Sequence, residues 1–489
     1  MYILTNGQMR SADEYTIVEK KIPALTLMER AGRVLAKSAE ELAPSGDILC
    51  VCGGGNNGGD GFVCARVLKN SGRKVDAVCF SSRFSKDCLI NRDEWLKQGG
   101  EILADISQEK NYALVIDCLF GTGFHGALDG ENAVIVSAIN GLKKRGAKVL
   151  SADIPSGVNG DNGIVIGEAV RADMTLCIGE LKAGAVLCNG LDYAGELRRA
   201  DIGIKLPEFG YATLIKKDGL SLPNRKRNSH KGSYGKAAIV GGSAQYTGAA
   251  YLSATACLRS GAGYTALFVP QNILPYYYLK SPELLLRAFD KEGMEELLDY
   301  DSVAYGMGMG VSREVSAGAV WLLKRYTGRL ILDADGLNSL AVYEKENLPK
   351  LFSEKKCDLV ITPHVKEFSR LTGQTTAEIL QLGLTAATGF AKSHGLTVLL
   401  KNAATVIADG KRIAVNTAGN SGQAKGGSGD VLSGVLAGLC ATGLSAFEGA
   451  KLGAYLCGVS AEFAAKEIGE YSMTATDIVA HLGRAFLSF

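Results

Sequence analysis

The stretch GGGNNGGDG at residues 53–61 combines glycines, which allow tight backbone turns, with polar side chains. Gly53, Gly55 and Gly58 have the spacing G-x-G-x-x-G, found in loops that bring backbone N–H groups close to a phosphate at the start of a helix. A dinucleotide loop of this kind also needs an acid at the end of the next strand, but the candidate, Asp76, lies in mid-strand. The stretch therefore predicts a phosphate- or dinucleotide-binding loop with an imperfect fingerprint.

Three polar side chains in this stretch, Asn56, Asn57 and Asp60, have two interpretations. Asn and Asp often hydrogen-bond to nearby backbone N–H groups at turns and helix starts, so local capping is one of them. The other is functional, because side chains at a switch from strand to helix point into the crevice at the edge of a parallel sheet. The sequence leaves both open.

Two later strand-like runs end at a carboxylate. Asp117 closes ALVID and Asp153 closes VLSAD. Because the carboxyl ends of parallel strands meet at one edge of a sheet, we expect these groups to lie near Asn57 and Ser156. Such an oxygen-rich cluster suits a hard cation or proton transfer better than hydride transfer.

A second glycine-rich stretch, GQAKGGSGDVLSGVLAG at residues 422–438, opens an apolar helical pattern. Gly427, Ser428 and Gly429 would present successive N–H groups at the positive end of this helix, which predicts an anion hole. Asp430 follows in the first turn, where its carboxylate can act as a base on a hydroxyl group. Helix capping alone would not explain the glycines. Other polar side chains follow strands in the same half: Lys401, Thr405, His364, Glu367, Asp333 and Asp335.

The elements that position these residues alternate along the chain. Apolar runs such as DILCVCG (47–53) and YALVIDCLFGTG (112–123) are separated by helical patterns such as DGFVCARVLKNSG (60–72). This order predicts an α/β fold with parallel sheets covered on both faces. The alternation breaks at the basic segment 216–231 and then restarts, so we expect two domains joined by a linker there. The alternative interpretation of that segment is a basic patch for phosphates.

The composition is that of a globular protein, with 47% hydrophobic and 21% charged residues and a net charge of +2. This balance gives no reason to expect nucleic acid or an anionic membrane as partner. The 12 cysteines include no C-x-x-C pair, which favours buried thiols in a reducing cytoplasm. The N-terminus is unlike a secretory signal, and the weakly polar run at 431–447 predicts a buried helix rather than a membrane span.

The motifs of both halves resemble known families. GGSGDVL together with TPHVKEF resembles the ribokinase-like fold, and in detail the ADP-dependent NAD(P)H-hydrate dehydratases. LMERAG, GGGNNGGDG, DCLFGTG and ADIPSG resemble the NAD(P)H-hydrate epimerases. The resemblance covers nearly the whole chain, in the order of bacterial bifunctional repair enzymes. It implies a Rossmann-like, parallel-sheet epimerase domain at 1–215 and a ribokinase-like α/β dehydratase domain at 216–489.

For the first domain, the resemblance implies interconversion of the R and S forms of NADHX and NADPHX, nicotinamide cofactors with water added at C6. Asp153 would contact this substrate and serve as acid and base, and a potassium ion would be held by Asn57, Asp117 and Ser156. The other residues implied to contact the hydrate belong to two loops: Asn56, Asn57, Gly58, Gly59, Asp60, Gly121, Thr122, Gly123, Phe124, His125, Gly126 and Ala127.

For the second domain, the resemblance implies that ADP phosphorylates the 6-hydroxyl of the S form and is converted to AMP. Phosphate is then eliminated, and magnesium is the implied counter-ion. Asp430 would deprotonate the hydroxyl, and glycine N–H groups would stabilise the transferring phosphoryl group. The hydrate would contact Ala249, Gly308, His364 and Asp430. The nucleotide would contact Lys401, Asn402, Ala403, Ala404, Thr405 and Gly429.

Two residues depart from the motifs of these families. Asn402 replaces a usual Gly, which bears on the choice between ADP and ATP, and Ser428 replaces a usual Thr but keeps the hydroxyl. Three rival functions are a ribokinase-like kinase of a small vitamin precursor with a dinucleotide-binding regulatory domain, a non-catalytic dinucleotide sensor, and an NAD(P)-dependent oxidoreductase. The kinase leaves the N-terminal motifs unexplained. Asp153 and Asp430 argue against a non-catalytic sensor, and the missing ribose acid argues against an oxidoreductase. We expect a cytoplasmic homo-oligomer that acts on small molecules.

Overall fold

The computed structural model describes residues 1–124, 126–128 and 130–489. The chain forms two compact units, Met1–Ala212 and Thr213–Phe489. Both contain a largely parallel β-sheet with helices between the strands, so the predicted α/β class is confirmed. None of the helices in the described part of the chain combines the length and apolar character needed to cross a membrane.

The first unit contains strands and helices in this order: β1 (Tyr2–Leu4), α1 (Asn6–Glu14), α2 (Ala24–Leu42), β2 (Asp47–Cys52), α3 (Asn56–Asn70), β3 (Val75–Cys79), α4 (Lys86–Lys97), β4 (Ile102–Leu103), β5 (Tyr112–Cys118), α5 (Gly130–Lys144), β6 (Lys148–Ala152), β7 (Met174–Ile178), β8 (Leu181–Lys182), α6 (Ala183–Val186), α7 (Gly190–Tyr193) and β9 (Glu196–Ala200). Seven of the strands form a parallel sheet in the order β4-β3-β2-β5-β6-β7-β9, and β1 pairs with β8.

Both faces of this sheet are buried because successive strand residues point in opposite directions. In β2, Ile48 and Cys50 pack with residues of α2 and α3, whereas Leu49 and Val51 pack with residues of α5. This two-sided burial explains why the strand is a continuous apolar run rather than an alternating one. It also leaves the carboxyl ends of the strands as the place where polar side chains can gather.

The second unit continues with β10 (Ala212–Leu214), β11 (Lys236–Gly241), α8 (Thr247–Leu258), β12 (Tyr264–Val269), β13 (Leu285–Ala288), α9 (Lys291–Glu296), β14 (Ser302–Met307), α10 (Arg313–Arg325), β15 (Arg329–Leu332), α11 (Ala334–Tyr343), α12 (Leu348–Glu354), β16 (Asp358–Ile361), α13 (Val365–Thr372), α14 (Thr376–Leu382), α15 (Leu384–His394), β17 (Thr397–Leu400), β18 (Thr405–Ala408), β19 (Ile413–Asn416), α16 (Ser428–Ala441), α17 (Ala446–Ile468) and α18 (Ala475–Leu487). Strands β13-β12-β11-β14-β15-β16-β17 are parallel neighbours, and β18 and β19 add to β17 in antiparallel fashion.

Helix α16 is set deep in the second unit by small residues. A methyl group on Gly434 would lie 2.0 Å from the Ser253 carbonyl oxygen of α8, and one on Gly438 would lie 2.7 Å from Ser260 Cβ. Only glycine allows this close approach of the two helices. The first turn of α16, which carries Asp430, is therefore held at a fixed place relative to the sheet.

The prediction of one buried helix at 431–447 is wrong, because two helices share this run. Helix α16 ends at Ala441, and Gly443 then takes a φ of +104°, which favours glycine. Ser445 caps α17 by accepting a hydrogen bond from the Glu448 N–H. The basic segment 216–231 is mostly exposed and holds only short 3₁₀ turns, Lys217–Gly219 and the start of Lys231–Tyr234.

The glycines between β2 and α3 are required by close backbone contacts. A methyl group on Gly58 would lie 1.8 Å from the Gly53 carbonyl oxygen, and one on Gly53 would lie 2.0 Å from the Leu119 carbonyl oxygen. The start of α3 thus packs directly on the strand end that precedes it.

We predict that Gly58→Ala lowers the stability of the first unit by about 1–3 kcal/mol, because the added methyl group forces the backbone apart. The matched control is Gly55→Ala, since Gly55 has a φ of −85° and no atom within 4 Å of an added methyl group. Thermal unfolding of both variants measures the effect. Equal melting temperatures for the two variants would show that the close contact is not a constraint.

Candidate active sites

A cleft of about 870 Å³ lies in the first unit, at the carboxyl ends of β2, β5 and β6. The predicted residues in its lining are Asn56, Asn57, Asp60, Gly121, Thr122, Gly123, Phe124 and Asp153. The lining does not include Gly58, Gly59, Gly126 or Ala127, and His125 lies outside the described residues. The two predicted loops therefore meet at one cleft.

The polar side chains of the first glycine stretch do not cap helix α3. The helix begins without any side-chain capping hydrogen bond. Asn56 Oδ1 accepts a hydrogen bond from Ser85 Oγ at 2.7 Å, and Asn57 Nδ2 donates to the Phe120 carbonyl oxygen at 2.9 Å. Asp60 is buried on the helix and lines the cleft. Local capping is thus the wrong interpretation of these three residues.

Asp117 and Ser156 form a buried network beside the cleft. Ser156 Oγ donates to Asp117 Oδ1 at 2.6 Å, and the Ser156 N–H donates to Asp117 Oδ2 at 2.9 Å. Ser156 Oγ in turn accepts a hydrogen bond from the Phe120 N–H at 2.9 Å. Burial raises the pKa of Asp117, and the hydrogen bonds from Ser156 oppose that rise.

Asn57 reaches the same network through Phe120. Its Nδ2 is bonded to the Phe120 carbonyl, but its Oδ1 is buried and has no hydrogen-bond partner among the residues that the structure describes. A buried amide oxygen without a partner is costly unless something fills its place. Asn57, Asp117 and Ser156, predicted to share a cation, are thus linked through one residue, and one of their oxygens lacks a partner.

Asp153 is held by a buried lysine. It follows β6 with a φ of +71°, a conformation that is rare for residues other than glycine. Its carboxylate forms an ion pair with the Lys182 ammonium, and its Oδ1 accepts a hydrogen bond from the Ile178 N–H at 3.1 Å. Lys182 is only 1% exposed and also donates to the Ile178 carbonyl. Sequence reasoning missed Lys182, although a lone charge in the apolar run LKAGAVL was a usable signal.

Two more carboxylates line this cleft. Burial raises the pKa of Asp13 to about 6, with Lys182 lowering it and Asp153 raising it further. Burial and the neighbouring Asp153 raise the pKa of Asp60 well above its usual range. Sequence reasoning assigned no function to Asp13, because helix α1 carries none of the motifs.

The second site is built around Lys401, at the end of β17. Its ammonium lies 2.9 Å from Asp333 Oδ1, and Asp333 Oδ2 accepts a hydrogen bond from Ser433 Oγ of α16 at 2.6 Å. A methyl group on Gly429 would lie 3.3 Å from Lys401 Nζ, so these two predicted nucleotide contacts are neighbours. The other predicted contacts follow Lys401 in the β17–β18 turn and at the start of β18: Asn402, Ala403, Ala404 and Thr405.

His364 has a structural role as well as a place in the site. It caps α13, and its Nδ1 accepts hydrogen bonds from the N–H groups of Lys366 and Glu367. Glu367 returns the contact by accepting from the His364 N–H at 2.9 Å. The backbones of His364 and Lys401 form an isolated parallel β-bridge. Burial lowers the pKa of the His364 imidazole, and the positive charge of Lys401 lowers it further. The Nδ1 atom of His364 is thus engaged with backbone N–H groups, and its Nε2 lies 3.5 Å from Glu367 Oε1.

Asp430 has the properties of a base that works near neutral pH. It lies in the first turn of α16, which starts after Gly427 at a φ of +98°. Burial raises its pKa to about 7, with a further rise from Asp333 that Lys401 opposes. A base with a pKa near the working pH is efficient in proton transfer. The adjacent Ser428 Oγ is buried and has no hydrogen-bond partner in the described part of the chain.

The predicted hydrate contacts Ala249 and Gly308 also lie together. A methyl group on Gly308 would lie 2.8 Å from Ala249 Cβ. Two residues later, the Gly310 N–H donates to Asp335 Oδ2 at 2.8 Å, and Asp335 contributes to the raised pKa of Asp430. The loop after β14 thus contacts α8 through Ala249 and α11 through Asp335.

Each half of the chain matches the model of a known protein family. A family model described as NAD(P)H-hydrate dehydratase matches residues 237–484. A second model, described as YjeF-related protein N-terminus, matches residues 24–184. The first of these ranges contains the residues of the second site, and the other contains the residues of the first site named above except Asp13.

Bifunctional NAD(P)H-hydrate repair enzymes are similar to this chain over nearly its full length. The one from Thermofilum pendens is 35% identical, over 97% of this chain and 93% of its own. The one from Moorella thermoacetica is 35% identical, over 98% and 95%. The one from Escherichia coli is 33% identical, over 94% and 88%.

One solved structure agrees with the ribokinase-like class predicted from the second glycine stretch. A ribokinase-like superfamily protein from Enterococcus faecalis matches 57% of this chain and 96% of its own, with 26% identity and a TM-score of 0.50. An ADP/ATP-dependent NAD(P)H-hydrate dehydratase from Bacillus subtilis, co-crystallised with ATP and Mg²⁺, covers 55% of this chain and 94% of its own, with 28% identity and a TM-score of 0.49. From the similarity to full-length relatives and the two matched family models, the chain belongs to the family of bifunctional NAD(P)H-hydrate repair enzymes.

Proposed function

We propose that the first unit interconverts the R and S forms of NADHX and NADPHX, and that the second unit dehydrates the S form with ADP as phosphoryl donor. The observation that carries this proposal is that both units place a carboxylate in the same kind of structural setting. Each has a carboxylate, Asp153 or Asp430, at the carboxyl edge of a parallel sheet beside a glycine-lined helix start. We assign residues 1–215 to the epimerase and 216–489 to the dehydratase.

In the first site, Asp153 acts on the C6 hydroxyl of the hydrate. C6 carries both this hydroxyl and the ring nitrogen, so proton transfer can open the centre and reclose it with inverted configuration. The contact with Lys182 and the hydrogen bond from Ile178 fix the Asp153 carboxylate at the cleft wall. The start of α3 and the loop after β5 hold the rest of the dinucleotide at that edge.

A potassium ion fits beside this site. Asn57 Oδ1 is a buried oxygen without a partner in the described residues, and Asp117 and Ser156 supply a carboxylate and a hydroxyl nearby. In the part of the chain that the structure describes, no group of three His, Cys, Asp or Glu side chains could hold a metal. A mixed set of oxygen ligands suits a hard cation rather than a transition metal. When bound, potassium supplies positive charge that helps to hold the dinucleotide.

In the second site, Asp430 removes the proton of the 6-hydroxyl as its oxygen attacks the terminal phosphoryl group of ADP. The N–H groups at Gly427–Gly429 stabilise the charge on that group, and Lys401 lies beside them. Phosphate then leaves C6 and a proton leaves C5, which restores the dihydropyridine ring. Magnesium fits as an ion that enters with the phosphates, because it keeps several waters and needs few protein ligands.

We predict that Asp153→Asn and Asp430→Asn abolish different reactions. With separated (R)- and (S)-NADHX, ADP and magnesium, the wild type regenerates NADH from both forms. Asp153→Asn regenerates it from the S form alone, and Asp430→Asn from neither while still interconverting them. Each loss is about 10²-fold or more, the usual contribution of a positioned acid or base. The measurements are NADH absorbance and chromatographic separation of the two forms. Failure of the wild type on the S form with both ADP and ATP would favour the small-molecule kinase.

We predict that the dehydration rate rises with pH up to about 7 and then levels off, because Asp430, with its pKa raised to about 7 by burial, acts only when ionised. Asp335→Asn removes a negative charge that raises this pKa, so the inflection moves to lower pH. Glu346→Gln is the control, since Glu346 is exposed on the same unit. An unchanged inflection in Asp335→Asn would contradict the role of Asp430.

We predict that KCl stabilises the wild type more than choline chloride at equal ionic strength, as ligand binding to the folded state requires. Asn57→Leu removes the oxygen that lacks a partner and eliminates this difference, whatever its effect on absolute stability. Asn56→Leu, the adjacent residue, retains it. Thermal unfolding gives the readout without substrate, and an equal response to the two salts in the wild type would refute the cation site.

A further inference from the structure

The carboxylate of Asp13 lies in the first cleft but takes no part in the proton transfer assigned to Asp153. Asp13 is carried by α1, and it lines the cleft together with Asp153 and Lys182. Helix α1 precedes the residues matched by the family model of the first unit, which begins at residue 24. The lining of the cleft thus includes a helix that the motifs do not cover.

Helix α1 is anchored at both ends, so the position of Asp13 is fixed. At its start, Thr5 and Gln8 form a capping box, and the Asn6 N–H donates to Asp161 Oδ1 at 2.7 Å. After its end, Thr16 Oγ1 accepts a hydrogen bond from the Lys205 N–H at 2.9 Å. The turn that follows Asp13 is π-helical, a distortion frequently found at functional sites.

Asp13 has no structural partner that would account for its burial. Among the residues that the structure describes, none forms a hydrogen bond or an ion pair with its carboxylate, in contrast to Asp153. The charged groups that face it are Lys182, Asp153 and Asp60. Burial raises the pKa of Asp13 to about 6, so the carboxyl group exchanges a proton near neutral pH. A partly buried carboxyl group without partners reduces stability, which points to a functional reason for its presence.

We propose that Asp13 is a second catalytic residue of the epimerase, the group that exchanges a proton with the ring nitrogen N1 while Asp153 exchanges one with the C6 hydroxyl. This inference rests on the proposed epimerase function and deepens it. Inversion at C6 through an open form needs a proton removed at one atom and a proton added at another, and a single carboxylate does not supply both in one step.

The proposed step balances as follows. The Asp153 carboxylate takes the hydroxyl proton, the O–H electron pair forms the C6=O double bond, and the C6–N1 pair moves to N1, which takes the proton of the Asp13 carboxyl group. Rotation about C5–C6 then presents the other face of the aldehyde. Closure runs the same transfers in reverse, which returns the proton to Asp13 and leaves both carboxyl groups in their initial states.

The test compares Asp13→Asn with the wild type, with Asp153→Asn and with Glu14→Gln, an exposed neighbour of Asp13 on α1. Initial rates of interconversion are measured on pure (R)-NADHX by chromatography, across a range of substrate concentrations. We expect Asp13→Asn to lower kcat by about 10²-fold with little change in KM. Asp13→Glu should recover part of the rate, and Glu14→Gln should match the wild type.

Two further readouts separate catalysis from folding and from failure of the function itself. Asp13→Asn should melt at or above the wild-type temperature, since it removes a charge without a partner, whereas a structural role predicts a lower temperature. If the wild type does not interconvert the two forms, the proposed function fails. If the wild type does so and Asp13→Asn keeps its kcat, only the role of Asp13 is overturned.

Discussion

Each unit depends on one lysine ammonium that lies among carboxylates at the carboxyl edge of its sheet. Parallel strands end at the same edge, so the acidic residues that follow them are brought together and repel one another. In the first unit Lys182 pairs with Asp153, and in the second Lys401 pairs with Asp333. Removing one partner of such a buried pair typically costs about 3–5 kcal/mol. The cations therefore allow several carboxylates to occupy one small region.

These pairs also divide the carboxylates by environment. Those in contact with an ammonium are held in place by it. Asp13 and Asp430 have no direct ion pair in the described part of the chain, and burial raises their pKa values to about 6 and about 7. Groups with such values exchange protons near neutral pH, and the proposed epimerisation and the proposed phosphoryl transfer to a hydroxyl both require a proton exchange. In the proposed mechanism, the same physical arrangement thus serves two different reactions.

The sequence predicted the parts of this arrangement that depend on local signals. Apolar runs and glycines marked the strand ends, and Asn57, Asp117 and Ser156 are linked through one hydrogen-bonded network as expected. The sequence did not predict that Asp13 and Lys182 line the cleft, because this placement depends on how segments far apart along the chain fold together. The apolar run at 431–447, predicted as one helix, forms parts of two helices. The turn at Gly443 and the cap at Ser445 separate them despite the apolar character of the run.

The central claim is that one chain carries two independent sites whose reactions follow one another. Complementation tests it most directly: Asp153→Asn and Asp430→Asn are mixed and supplied with (R)-NADHX, ADP and magnesium. Neither variant alone should regenerate NADH faster than spontaneous interconversion allows, whereas the mixture should do so, because the S form made by one variant is dehydrated by the other. A mixture no faster than Asp153→Asn alone, or full regeneration by either variant alone, would contradict the account.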